Sequence, residues 1–337
     1  MNFDIEKIRE ICKKKRITMV SVAVIENMEI KQMETVSLEP WISESIDDVT
    51  FQMGSVSKLV TAWAVLLLEK MGKLNIDAPI NNYLKNWRIE GRHGEEDNIT
   101  IKMVLSHYAG LNRKSFLGVS NANKLENTMQ YLNRKKVKNI YRPNQKPIYS
   151  GGGYVILQLL IEQISGMDFS DFTEKYIFQS LGMKNTTFNA EKICMDKLPN
   201  CYDIFGKKIK CRFYSEKAAA GLFSTIKDIS RFAIENMNYE NQIIGDKLKV
   251  IHKRYNRAYP ECLGCYAFNT REKKLIASKG INLGWYACFL LLPNEGNGFV
   301  FLSNSNRGKK LFSILGKEWM DSSRFFITDE QKKFFYL

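Results

Sequence analysis

Ser55 and Lys58 stand three residues apart in "MGSVSKLVTA", where a glycine gives way to an apolar run. Residues at that spacing share one helix face, so the lysine amine can reach the serine hydroxyl within a single turn. The positive end of the helix dipole and burial both work against an ammonium there, and a neutral amine can accept the serine proton. The Ser55 amide, unpaired at a helix start, is also placed to bind a developing oxyanion. Four residues would then supply nucleophile, base and one oxyanion donor, the parts needed for acyl transfer through a covalent intermediate.

The spacing alone is not specific. Ser224 and Lys227 in "STIKD" repeat it, and there Thr225 and Asp228 have the spacing of a capped helix start, which accounts for the second match without chemistry. Other chemistries have less to stand on. His93, His107 and His252 lie far apart, and Cys262 and Cys265 form a lone CxxC with no second pair. Neither a metal site nor a Ser-His-Asp triad is expected. The three glycines at 151–153 precede a helical pattern, as a phosphate cradle would, but fit neither GxGxxG nor a P-loop; no cofactor is expected.

The elements that must position Ser55 follow from periodicity. "SKLVTAWAVLLLEKMG" reads as a helix stopped by Gly72, and "ITIKMVLSHYAG", "YVILQLLIEQISG", "FSDFTEKYIFQSLG" and "STIKDISRFAIENM" as further helices. The two ends are strand-rich. "RITMVSVAVIEN" turns at Asn27 into "EIKQMETVSL", and "GCYAFNT", "KLIASKG", "GWYACFLLLP" and "GFVFLSNS" follow near the other end. This order predicts an α/β protein of the α+β type: one antiparallel sheet built from both chain ends and flanked by helices, with a mostly helical lobe inserted. Residues 1–337 would form one folding unit, with the sheet lobe at approximately 1–54 and 256–337 and the helical lobe at approximately 55–255. A cleft between the lobes is the natural ligand site.

The chain of 337 residues, 45% hydrophobic and 26% charged, has the composition of a soluble globular protein with a large core. No apolar run reaches the roughly 20 residues of a membrane span. The basic start lacks a small-residue cleavage site and reads as a helix leading into a strand rather than a signal peptide. Seven cysteines without framework spacing fit free thiols in a reducing, cytoplasmic setting. The net charge of +14 is spread along the chain, as on a solvated basic face, and nucleic acid is not an expected partner. Nothing in the pattern sets an oligomeric state.

"FQMGSVSKLVTA" resembles the active-site segment of the serine β-lactamase and penicillin-binding protein-like superfamily, especially its class C and esterase branch in the variant with a YSG motif. The resemblance continues in order through "GKLNIDAPINNYLKNW", "ITIKMVLSHYAGL", "YSGGGYVILQLLIEQISGMDF", "IFQSLGMKNTTF", "AAAGLFSTIKDISRFA" and "GINLGWYACFLLLPNEGNGFVFLSNS", from about residue 17 to 306. It implies the β-lactamase/transpeptidase-like fold, Ser55 as nucleophile, Lys58 as its partner, and Tyr149 as a phenol sharing proton transfer with the lysine. It also implies a structural role for His107, tying a helix end to its loop.

Two positions depart from the family pattern. Gly151 replaces the asparagine of the tyrosine-x-asparagine motif. Asn282, Gly284 and Trp285 fix the register of the last motif, so Ser278 falls where a lysine or histidine usually stands. Lys279 is one position off and should face away from the cleft, because neighbouring strand residues point to opposite faces. Ser278, Gly280 and Gly151 are expected to border the oxyanion and substrate site with Ser55 and Ile281, and the Ile281 amide is implied as the second oxyanion donor. The expected activity is a serine hydrolase acting through an acyl-enzyme on an ester, thioester or amide. With no cation at 278, small-molecule or peptide acyl substrates of neutral character would suit it better than carboxylates. An acyltransferase of a biosynthetic pathway and a catalytically impaired binding or regulatory protein on the same fold are the alternatives.

Overall fold

The computed structural model describes residues 2–40, 48–92, 94–115, 117–245, 247–270, 272–326, 328 and 334; His93 lies outside them. The chain starts with α1 (Ile5–Lys15), whose first amides are taken up by the side chain of Asp4, and enters β1 (Met19–Glu26). A turn at Asn27 and Met28, with φ of 53° and 65°, leads to β2 (Glu29–Ser37). Two successive positive φ values make the type I′ geometry whose twist matches paired strands, and asparagine favours it.

The C-terminal part supplies β7 (Tyr266–Asn269), β8 (Lys274–Asn282), β9 (Trp285–Leu292) and β10 (Asn297–Ser303). Among the described residues these strands and the N-terminal hairpin form a six-stranded sheet in the order β2-β1-β10-β9-β8-β7, antiparallel at every pairing. The sheet is covered on both faces. Phe299 and Phe301 of β10 pack with Ile8 and Cys12 of α1 and with Phe312 and Trp319 of α10 (Gly308–Ser322). Val300 and Leu302, pointing the other way, join the core shared with the helical part. Double coverage explains why β9 and β10 read as unbroken apolar runs.

Between the two halves of the sheet run α2 (Ser57–Lys70), α3 (Ile101–Leu105), α4 (Thr128–Lys135), α5 (Gly151–Ser165) and α6 (Phe169–Thr173). They are followed by α7 (Lys217–Ala220), α8 (Ile226–Glu235) and α9 (Lys247–Ile251). Four small strands form two further pairings: β4 (Cys201–Tyr202) joins β5 (Lys208–Ile209), and β3 (Phe51–Gln52) joins β6 (Phe223–Ser224) directly before the Ser55 turn. Two helices depart from the sequence pattern. The third ends at Leu105 because His107 adopts a left-handed φ of 66°, and the fifth begins at Gly151, so the three glycines lie inside it rather than before it. Thr225 caps α8 by accepting the Asp228 amide at 3.2 Å, which gives the second serine-lysine match its purely local role. No helix among the described residues is long and apolar enough to cross a membrane.

Candidate active site

Ser55 sits in a tight 3-10 turn, Gly54–Val56, that feeds α2. The turn is fixed from three sides. The Met53 amide donates to the Leu222 carbonyl at 2.8 Å, continuing the β3–β6 pairing. Ser57 Oγ donates to the Gly54 carbonyl at 2.6 Å and accepts the Leu222 amide at 3.0 Å. Gly54 has φ of 50°, and a Cβ there would lie 2.8 Å from the Ile281 nitrogen, so glycine is required for both backbone and space.

One helical turn on, Lys58 is 4% exposed, and its Nζ donates to Ser55 Oγ at 3.1 Å and to the Ala219 carbonyl at 2.6 Å. The same amine lies 5.1 Å from the ring centre of Tyr149 and 5.2 Å from that of Tyr154. With Gly151 in place of an amide side chain, a main-chain carbonyl and two ring faces hold the lysine instead. Ala219 is itself held in place: Thr61 Oγ1 donates to the Ala218 carbonyl at 2.9 Å, and the Ala218 amide donates to Gln158 Oε1 of α5 at 3.1 Å. The run of small residues in "AAAGLF" lets this backbone approach α2, a role that sequence reasoning missed.

The Tyr149 hydroxyl and Ser55 Oγ are hydrogen-bonded at 2.6 Å. Tyr149 precedes Ser150, the N-cap of α5, whose Oγ accepts the Gly153 amide at 3.0 Å. The Ser150 amide donates to His107 Nδ1 at 3.2 Å, and the imidazole packs on the Tyr149 ring at 4.4 Å between centres. Burial, reinforced by the charge of Lys58, pushes the His107 imidazole down to about 3, so it is a neutral acceptor at ordinary pH. His107 thus orders the loop as expected, and also the phenol. The glycines are spent on packing and backbone bonds: Gly151 and Gly152 donate to the carbonyls of Lys114 and Arg113 at 3.3 and 3.1 Å, and a Cβ on Gly152 would meet Val137 at 2.9 Å. Those amides are therefore already engaged.

β8 forms the opposite wall. Its ladder with β9 runs without a bulge from Ile276 to Asn282. Ser278 lines the site, 1% exposed, whereas Lys279 turns its ammonium to the other face, donating to the Phe334 carbonyl and lying 4.2 Å from that ring centre. A Cβ on Gly280 would lie 1.9 Å from the Met53 oxygen and 2.8 Å from the Ser55 nitrogen, so the strand passes in backbone contact with the serine turn. Asn282 and Trp285 close the two-residue turn of the hairpin, and alternation then directs the Ile281 amide away from β9. Pairing with β7 ends at Ala277, short of that amide. Asn282 Nδ2 ties the strand end to Gln52 Oε1 at 2.8 Å and to the Ala220 carbonyl at 3.1 Å.

Ser55, Lys58, Tyr149, Gly151, Ile281 and Asn282 border a cleft of about 460 Å³, joined by Tyr214, Tyr266, Lys114 and Lys279, the last of which sends its ammonium to Phe334. That volume is in the range of small-ligand sites. Lys114 corrects one expectation: with Ser278 in place, a cation still reaches the cleft edge, from a different loop. Cys262 and Cys265 are buried free thiols beside the site, and burial pushes Cys265 far above the ordinary thiol range.

A family model described as Beta-lactamase matches residues 6–316. Penicillin-binding protein 4* of Bacillus subtilis (strain 168) is 28% identical over 155 residues, 44% of this chain and 32% of its own length. Beta-lactamase-like protein 4 of Dictyostelium discoideum is 29% identical over 214 residues, 58% of this chain and 37% of its own. The matches thus span about a third of each relative's length. Among solved structures, the octameric penicillin-binding protein homologue from Pyrococcus abyssi superposes with a TM-score of 0.76 at 20% identity, covering 93% of this chain and 78% of that one. At that identity the likeness is one of fold.

Proposed function

The chain belongs to the β-lactamase family of serine hydrolases, and from that premise we propose that it cleaves esters, thioesters or amides through an acyl-enzyme on Ser55. The observation that carries this reading is the pair of hydrogen bonds on one oxygen: Ser55 Oγ lies 2.6 Å from the Tyr149 hydroxyl and 3.1 Å from Lys58 Nζ. Because the amine donates to Oγ, the hydrogen of Ser55 is free to pass to the Tyr149 oxygen as Oγ attacks the acyl carbon, while the phenol gives its own proton to the neutral Lys58 amine. Lys58 and Tyr149 relay that proton to the leaving group.

The amides of Ser55 and Ile281 bind the oxyanion of the tetrahedral intermediate, and Gly280 supplies the close approach that brings them together. The carbonyl bond to the leaving group breaks, leaving an ester on Ser55 that water attacks in the second half-reaction. Gly151 borders the cleft, and Ser278 the recess beside it, without charge, and Lys114 stands at the exposed cleft edge; an acyl group seated against β8 is therefore favoured when neutral, whereas a carboxylate would find its cation only at the rim. The catalytic unit is the whole chain, because the serine turn and Tyr149 come from the helical part and Ile281 from the sheet.

A panel of simple esters, D-amino-acid peptides and β-lactams, each assayed with the wild type and with Ser55→Ala, tests this reading. Turnover of simple esters that is lost in the variant is expected. Carboxylated β-lactams hydrolysed far faster than esters would overturn the substrate preference.

A further inference from the structure

Glu261 lies where the established parts of the site give it no work. It belongs to a short turn before β7, held by an antiparallel bridge to Tyr266, by the Tyr255 amide donating to the Glu261 carbonyl at 3.0 Å, and by the Cys262 amide donating to the Cys265 carbonyl at 2.9 Å. Gly264 of this turn abuts the Lys58 carbonyl, where a Cβ would come within 2.6 Å. The turn is thereby pressed against the backbone of α2, three residues on from the proposed nucleophile.

The Glu261 side chain faces a small recess shared with Ser55, Lys58, Tyr149 and Ser278. Its volume is about 10 Å³, room for one group the size of a water molecule. Ser55, Lys58, Tyr149 and Tyr266 border both this recess and the 460 Å³ cleft, so the recess opens from the floor of the substrate site. Glu261 Oε2 is buried without a hydrogen-bond partner. Burial pushes the carboxyl above its ordinary range, opposed only in part by a hydrogen bond to its own backbone. Tyr108, whose hydroxyl is also buried and unpaired, and Tyr266 both feel its charge, and Tyr255 packs on Tyr108 at 4.3 Å between ring centres. A half-buried glutamate whose Oε2 is out of water, beside the rings of Tyr149 and Tyr266 in a space of one small polar group, matches the needs of an ammonium: charge, hydrogen-bond acceptor and aromatic faces.

We propose that Glu261 is a specificity residue that receives a primary ammonium group of the substrate, so that acyl substrates bearing an amine close to the scissile carbonyl are favoured. This rests on the acyl-enzyme reading above and goes beyond it. Ser278 fits the same logic: a lysine or histidine at that position would crowd and repel the ammonium that Glu261 attracts.

The test compares kcat/KM at pH 7 for the p-nitroanilides of alanine, in both enantiomers, and of isobutyric acid, which carries a methyl group in place of the ammonium. The wild type is expected to favour one alanine enantiomer by about tenfold or more, the scale of a charge-assisted hydrogen bond. Glu261→Gln should bring the ratio close to one while leaving isobutyryl turnover within about threefold. Because the ratio is taken on one preparation, a partly misfolded variant does not distort it, and Glu261→Asp should retain part of the preference. A preference unchanged in Glu261→Gln, or a wild type that favours the isobutyryl compound, overturns the assignment of Glu261 and leaves the hydrolase standing. If neither anilide nor any ester acylates Ser55, the hydrolase reading falls, and this one with it.

Discussion

At the residue scale the site depends on keeping three polar tips in contact while one of them, the Lys58 amine, is largely out of water. Ser55 and Lys58 were legible because a helix puts positions three apart on one face. Tyr149 was legible only through the ordered motifs around it, since a half-buried tyrosine has no spacing that marks it as reactive. What holds these groups was hidden: the Ala219 carbonyl is main chain, and the contact of His107 with Tyr149 joins residues 42 positions apart in the sequence. Tyr149→Phe keeps the ring packing and removes the oxygen; kcat for an ester should fall about 10²- to 10⁴-fold with KM little changed, measured by steady-state kinetics. His107→Phe removes the acceptor of the Ser150 amide and should lower kcat by about tenfold or more through misplacement of the phenol. His107→Asn, which can still accept a hydrogen bond, should recover part of that loss; equal damage in both would point to packing alone.

At the element scale, the two contacts that matter are β8 against the Ser55 turn and α7 against α2. The strands were readable from apolar, β-branched runs bounded by turn residues, and the facing of Ser278 and Lys279 followed from a ladder without a bulge. The short α3 and the early start of α5 were not, because one depends on a left-handed histidine and the other on glycines that only packing against Val137 and Arg113 explains. Gly280→Ala should therefore be severe. The new methyl group meets the Met53 carbonyl, so β8 must retreat, taking the Ile281 amide with it; a stability loss of about 1–3 kcal/mol and a kcat loss of about 10²- to 10³-fold are expected, read by urea denaturation and ester turnover. Gly72→Ala is the contrast, since its φ is 70° but nothing lies within 4 Å of the added Cβ. It should cost about 1 kcal/mol of stability and leave turnover unchanged.

At the scale of the whole molecule, a sheet assembled from both chain ends brackets a helical part, and both faces of the sheet are buried. The sequence order of strands and helices predicted this arrangement, whereas α10, beyond the family-like motifs, went unread although its Phe312 and Trp319 complete the second core. Burying so much surface also traps titratable groups. Burial pushes His252, like His107, down to about 3, so each is neutral in the fold and protonates readily only when the chain unfolds. The unfolded state then binds more protons, and each histidine contributes stability that is present above about pH 6.5 and lost as the pH falls toward about 3. Between pH 7 and 5.5 each accounts for a loss of about 1 kcal/mol. Burial raises the carboxyls of Glu162, Glu216 and Asp228, which works in the opposite sense. The clean measurement is thus a difference: His252→Gln should lose about 1 kcal/mol less than the wild type between those two pH values, by chemical denaturation. Parallel pH curves would contradict it.

The central claim is that Ser55 forms a covalent acyl-type adduct because Lys58 and Tyr149 take its proton. Intact-protein mass spectrometry after incubation with a fluorophosphonate and, separately, a fluorescent penicillin tests it most directly. A single adduct on the wild type, absent from Ser55→Ala and strongly slowed in Lys58→Ala, is the predicted result. A wild type that takes up no label under any condition, or labels equally well without Ser55, would contradict it.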